Sequence, residues 1–155
     1  MKKLDGRSGQ ETLFGIASFR VVTTVGRDEM VDEFDAATSA GFALDSFNFH
    51  GIGTGVTAEA VGDTALVTEL TTEYSPNSTR ATGVQSQPTS DVYRTVGTNT
   101  LDSGTPAITE HGVLSQAATG GGTLLDRSVF AAVNLTGANG DGLQSTYNLT
   151  IANGG

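Results

Sequence analysis

An all-β fold, a two-sheet sandwich of jelly-roll-like character, is predicted by three observations. First, the chain holds 21 glycines and only 16% charged residues, against roughly 25% in an ordinary domain. What fills the gap is Thr, Ser, Gly and Asn, residues of pleated surfaces and of turns. Second, short runs of apolar and β-branched residues recur along the chain, each bounded by Gly, Asn, Ser or Pro. Third, helical periodicity is confined to one stretch, "RDEMVDEFDAATSAG".

Taken in order, residues 1–10, "MKKLDGRSGQ", are polar and basic with two glycines, and read as a flexible N-terminal arm. Residues 11–155 then form a single β-sandwich domain. "TLFGIASFRVVTTV" supplies one or two strands across 12–25. One short helix is predicted near 28–38, where Asp28, Glu29 and Asp32 meet the positive helix end and Met30, Val31 and Phe34 make an apolar face. "ALDSFNFHG" alternates as a strand, and "GIGTGVTAEAVGDTA" reads as a connection with glycines at positive φ and a helical turn at 57–61. "LVTELTTEY" (66–74) is a predicted strand, followed by a long loop region, "SPNSTRATGVQSQPTS". "DVYRTVGTNTL", "AITEHGVLSQ", "TLLDRSVFAAVNLT" and "LQSTYNLTIA" are the remaining predicted strands, with "GANGDG" as a hairpin turn between the last two.

At 155 residues the chain can bury roughly 68–70% of its unfolded surface, so neither metal nor disulfide is needed for stability. Cysteine is absent, which removes thiol nucleophiles, thiolate metal sites and a disulfide framework. A net charge of −9 argues against nucleic acid, whose binding requires a basic face to displace counterions. No apolar run approaches the roughly 20 residues that cross a bilayer, so no membrane partner is expected. Two lysines precede no apolar h-region, so no secretion signal is read at the N-terminus.

Glu110 and His111 are the pair that most suggests chemistry. On a strand, neighbouring side chains point to opposite faces, so the two cannot converge on one metal or one substrate atom. His50, the other histidine, could meet His111 across the sheets, yet no carboxylates can be assigned to such a pair; the plainer expectation is a strand-end histidine at a sheet edge or interface. "GIGTG" lacks the third glycine and the following helix of a dinucleotide loop. No nucleophile elbow is present. The expected inventory is therefore no catalytic residue, no cofactor and no metal, and the chain reads as a protein that is not an enzyme. Glu110 and Arg127, one on each of two successive strands, are set to face one another as a structural pair.

The last third, "AITEHGVLSQAATGGGTLLDRSVFAAVNLTGANGDGLQSTYNLTIANGG", resembles the C-terminal half of a group of small tailed-bacteriophage virion proteins. The shared pattern is an I-x-E-H-G-hydrophobic strand, a Gly/Ser-rich turn, "TLLDRSVFAA", a "GD" hairpin and a final Y-x-L-T strand. Upstream, "FNFHGIGTGVTAEAVGDTALVTEL" resembles the group's first half through H-G-x-GTG and "AEAVGDTALVTE", so the resemblance covers about 42–155. The chain departs from the pattern at "GVLSQ", where a larger hydrophobe is usual. The resemblance implies a non-enzymatic capsid decoration or cement protein, made in the host bacterial cytoplasm and carried on the outer capsid surface. Its implied partner is the major capsid protein, whose neighbouring capsomers it would staple, and its implied state is a homo-oligomer, with a trimer favoured. Lys2, Lys3 and Arg7 on the arm would suit an acidic capsid surface. A looser E-x-G-hydrophobic pattern makes a tail, collar or fibre component the alternative, and a glycan-binding jelly roll a third reading.

Overall fold

The computed structural model describes residues 1–13, 15, 21–26, 46–89 and 92–150, and they build two antiparallel sheets. The strands are β1 (Lys2–Leu4), β2 (Glu11–Leu13), β3 (Val21–Val22), β4 (Phe49–Gly53), β5 (Ala81–Thr82), β6 (Val84–Thr89), β7 (Val92–Thr100), β8 (Ala107–Leu114), β9 (Leu124–Asn134) and β10 (Gly142–Thr150). Sheet I has the order β2-β1-β10-β7-β6 and sheet II the order β3-β9-β8-β4-β5. The predicted all-β two-sheet sandwich is thus the observed architecture. Successive strands β1–β2, β4–β5, β6–β7 and β8–β9 pair within one sheet, and the chain changes sheets after β2, β5, β7 and β9. The predicted helix near 28–38 lies outside the described residues.

Alternation explains which side chains enter the space between the sheets. Along β7, Thr95, Gly97 and Asn99 are buried while Arg94, Val96 and Thr98 are only half-buried. Along β10, Leu143, Ser145 and Tyr147 are buried, and the residues between them face outward. The apolar interior falls into two clusters. One joins Ile52, Leu70, Tyr74, Leu101, Ile108, Phe130, Val133, Leu135 and Leu143. The other joins Phe47, Val113, Leu125 and Tyr147, with Tyr93 and Leu149 packed against it. Between them runs a polar waist: Ser145 lies between Leu143 and Tyr147 on β10, and His111 lies between Ile108 and Val113 on β8.

Five expectations about the elements are corrected by the structure. Residues 1–10 are a strand and a turn, not a flexible arm. β1 pairs with β10, Lys2 opposite Gln144, and with β2, Lys2 opposite Leu13. The physical reason lies in "DGRSGQ", where Asp5 Oδ1 accepts the Arg7 and Ser8 N–H groups and Gly9 takes φ 67°, closing a hairpin turn. Residues 66–74 form no regular strand. Leu66, Leu70 and Tyr74 are buried, but Thr68 and Thr72, which a pleat would place on the same face, are exposed. Isolated bridges, Gly53 to Glu69 and Tyr74 to Leu101, replace a strand ladder there.

The region read as loop before residue 90 contains β5 and β6. Every residue of β6 is exposed, so no buried face wrote an apolar alternation into it. Finally, "GANGDG" is not a hairpin, because β9 and β10 belong to different sheets. A short 3-10 turn, Gly137–Asn139, and Gly140 at φ 71° carry the chain across. The predicted helical turn at 57–61 is absent as well; a bend at 57 and a turn at 61–62 stand there.

Asp141 holds that crossing in place. Its buried carboxylate accepts the Thr136 N–H at 2.9 Å and the Gly6 N–H at 3.3 Å, and it pairs with Lys3 at 3.2 Å. Burial acts to raise the Asp141 pKa, but the Thr136, Lys3 and Gly6 contacts outweigh it and hold the group below its ordinary value of 3.8. A depressed folded pKa stabilises the fold above the unfolded value, and that contribution is lost as pH falls through the folded one. Asp141→Asn is therefore expected to cost about 1–3 kcal/mol at neutral pH. In urea unfolding, the gap to the parent protein should narrow below pH 3.8; a gap that stays constant into acid would contradict the assignment.

Candidate functional site: a buried ion network beneath a surface loop

The face of β8 decides where Glu110 and His111 go. Glu110 turns to the outer side of sheet II, beneath the segment 54–69, and His111 turns inward toward sheet I. His111 Nε2 lies 2.9 Å from His50 Nδ1, and His50 Nε2 lies 3.1 Å from Thr95 Oγ1. The histidines therefore meet, though not across the sheets and not at an edge. They occupy neighbouring strands β4 and β8 of one sheet, where Ile52 stands opposite His111 and His50 opposite Val113. Both are fully buried, with ring centroids 5.1 Å apart and planes tilted by 36°. A contact between two imidazole nitrogens requires one to donate and the other to accept. Thr95 then links the pair to sheet I. Room for the His50 ring exists because β7 has glycine at 97, where a Cβ would lie 2.5 Å from His50 Cδ2.

On the opposite face, Glu110 accepts four hydrogen bonds. Oε1 takes the N–H groups of Gly55 at 3.1 Å and Thr68 at 2.7 Å, and Oε2 takes the Val67 N–H at 3.0 Å and Arg127 Nε at 2.9 Å. Arg127 spends its other nitrogens on Asp63 Oδ2 and the Thr57 carbonyl, each at 2.9 Å. Neither side chain of the central pair has appreciable solvent access, with exposures of 0% for Glu110 and 1% for Arg127. Burial alone would lower the Arg127 pKa; hydrogen bonds and the charges of Glu110 and Asp63 outweigh it and raise the value. The two residues face one another across the β8–β9 pair, as the strand-turn-strand reading of "TEHG" and "LLDRS" expected.

The glycines of "GIGTG" serve this approach, not a turn at positive φ. Gly51 and Gly53 are strand residues of β4. A Cβ on Gly53 would collide with the Thr68 carbonyl oxygen and sit 2.5 Å from Glu110 Oε1, and one on Gly55 would sit 2.6 Å from the same oxygen. Only glycine lets the carboxylate and the 66–69 backbone close over the strand. A second cation pins the following stretch: Arg80, 3% exposed, donates Nη2 to Glu69 Oε2 at 2.8 Å and Nη1 to the Gln116 and Gly121 carbonyls. Arg80 sits among Ser and Thr in a region read as loop, so nothing local marks it as buried, and its pairing with Glu69 needs the fold.

The outcome on the surface is a loop with a fixed base and apolar tips. Val56, Val61 and Val67 are 75%, 61% and 53% exposed, while Gly55, Thr57, Asp63, Val67 and Thr68 contribute the groups that bind Glu110 and Arg127. The other sequence-predicted residues lie elsewhere. Lys2 pairs with Glu11 at 2.7 Å, Lys3 is committed to Asp141, and Arg7 stands exposed in the β1–β2 turn. The three do not form one free cationic arm. Among the described residues, no cluster of three or more His, Asp or Glu is placed to hold a metal ion. Comparison with family models, with curated proteins and with solved structures gives no match to this chain.

Removing one partner of a buried ion pair strands the other charge, at a cost of about 3–5 kcal/mol. Glu110→Ala and Arg127→Ala are each expected to destabilise the protein on that scale. The double variant should be far less costly than their sum, with a coupling of about 1–3 kcal/mol in denaturant unfolding. Additive losses would show that the two side chains act independently.

Proposed function

We propose that this protein is a non-enzymatic structural component of a tailed-phage virion. It binds the major capsid protein on the outer capsid surface and cements neighbouring capsomers. One observation carries the reading: the quoted pieces of the virion-protein resemblance, far apart in sequence, converge on a single network. "HGIGTG" supplies Gly53 and Gly55, "AEAVGDTALVTE" supplies Asp63, Val67 and Thr68, "TEHG" supplies Glu110, and "LLDRS" supplies Arg127. The shared residues are thus those that fix one surface loop in shape, which is what a docking module requires and what an open catalytic cleft does not.

The surface proposed to meet the capsid is that loop. Its exposed valines offer apolar area, and its base is rigid, so little conformational entropy is lost when it docks. With Lys2 and Lys3 engaged inside the protein, Arg7 is the residue of the three left to contribute a cation at a rim. A ligand that binds only the assembled shell stabilises it by mass action, about 2.7 kcal/mol at a hundredfold excess over Kd.

Purified protein added to mature capsids that lack it is expected to bind saturably and to raise the temperature at which they break. Val56→Asp and Val61→Asp, both at exposed positions, should weaken binding by about tenfold or more while leaving the unfolding temperature of the free protein unchanged. Identical breakage temperatures with and without bound protein would rule out cementing.

A further inference from the structure

We infer that the corner between β5 and β7 is a binding site for a carboxylate, a role separate from that of the loop proposed to meet the capsid. β6 pairs with β7 only as far as Val84 opposite Val96, and β5, just before it, belongs to the other sheet. Beyond Val96 no described strand continues along that edge of β7. A cavity of about 250 Å³ opens there, between β7 and residues 75–82. At about 30 Å³ for each water, that is room for a small organic ion.

Asn99 shows which group the cavity calls for. It stands on the inner face of β7, lines the cavity and is 2% exposed. Its Oδ1 accepts the Ala81 N–H at 3.0 Å, which fixes the orientation of the amide. Its Nδ2 finds no acceptor among the described residues. A buried donor without a partner destabilises a fold, so an acceptor oxygen brought to this point gains an interaction that is already positioned.

The rest of the wall selects the kind of oxygen. Ser75, Thr82 and Thr100 carry hydroxyls able to donate, and Arg80 is the charged residue among the described lining. Glu69, the partner of Arg80, lines a separate cavity with Leu66 and Leu114 and not this one. The cation is thus the nearer pole of that pair. A metal ion does not suit the same wall, since no described carboxylate lines it and Asn99 Oδ1 is spent on Ala81. A sugar would find no described aromatic ring to cover its C–H face. A carboxylate accepts at both oxygens, and hydrogen bonds to an ionised acceptor are about twice as strong as neutral ones. The chemistry is the same for a free organic acid and for an Asp or Glu side chain of a docked protein.

NMR titration of the full chain tests the site, read at the Asn99 side-chain amide and the Ala81 N–H. Sodium acetate is expected to shift both saturably, with a dissociation constant of about 1–10 mM, the scale of a few hydrogen bonds to one small ion. Sodium chloride at equal ionic strength should not. Thr82→Val, at an exposed position, should weaken binding about tenfold with the unfolding temperature unchanged. Asn99→Asp keeps an acceptor for Ala81 but removes the donor, and should abolish binding; if it does not fold, Thr82→Val carries the test alone. Glutarate binding tighter than N-acetylglutamate N-methylamide assigns the site to a free acid, and the reverse order assigns it to a protein side chain. No saturable shift with any of these carboxylates would overturn the inference. So would equal shifts with chloride, a response to glucose in place of acetate, or variants that bind like the parent protein. Capsid binding, measured separately, bears on the cement reading alone.

Discussion

A carboxylate sealed from water has to find all its partners within the protein, because an ion stripped of solvent without them costs several kcal/mol. Glu110 meets that demand with four donors drawn from three segments. Much of the structure follows from the need to bring them together. Glycines at 53 and 55 remove the Cβ atoms that would block the approach. Arg127 must stand on the adjacent strand, and its remaining nitrogens then fix Thr57 and Asp63. The segment 54–69 thereby acquires a rigid base without any strand or helix of its own.

The inner side of the same strand obeys a different constraint. His111 and His50 sit between two apolar clusters and share a hydrogen bond that ties β8 to β4, while Thr95 extends the link to sheet I. Polar contacts of this kind are directional, whereas apolar packing tolerates sliding. A slip of β8 by one residue would turn His111 outward and Glu110 into the core. The two faces of β8 thus fix the same register independently, one through the buried ion pair and one through the imidazole pair. That is a physical reason for adjacent Glu and His in "ITEHGVLSQ" that involves no chemistry upon a substrate.

What could be read from sequence follows the same division. β7 and β10 were legible because each has one buried face and alternates accordingly, β8 and β9 because they are apolar, β-branched runs between turn residues, and the Glu110–Arg127 pair because a strand-turn-strand unit brings nearby positions onto adjacent strands. The His50–His111 contact joins residues 61 apart, and nothing local announces which strands will be neighbours. β1 was hidden because Lys-Lys-Leu has no strand propensity, and its pairing depends on β10 at the other end of the chain. β6 was hidden because a strand exposed on every residue has no apolar pattern to read. Leu66, Leu70 and Tyr74 misled for the opposite reason: they are buried, but against a loop path whose turns no pleat describes.

The loop proposed to meet the capsid takes its shape from sheet II and from the rigidity of its own base. That rigidity depends on Glu110 as the anchor of the loop, and amide hydrogen exchange probes it residue by residue. In Glu110→Gln, which keeps size and shape, the Gly55, Val67 and Thr68 amides are expected to lose protection together by about tenfold to a hundredfold. The Gly97 and Ser145 amides on β7 and β10 should change far less. Loop amides that keep their original protection, or a loss spread evenly over both sheets, would contradict the claim that this one carboxylate holds the loop.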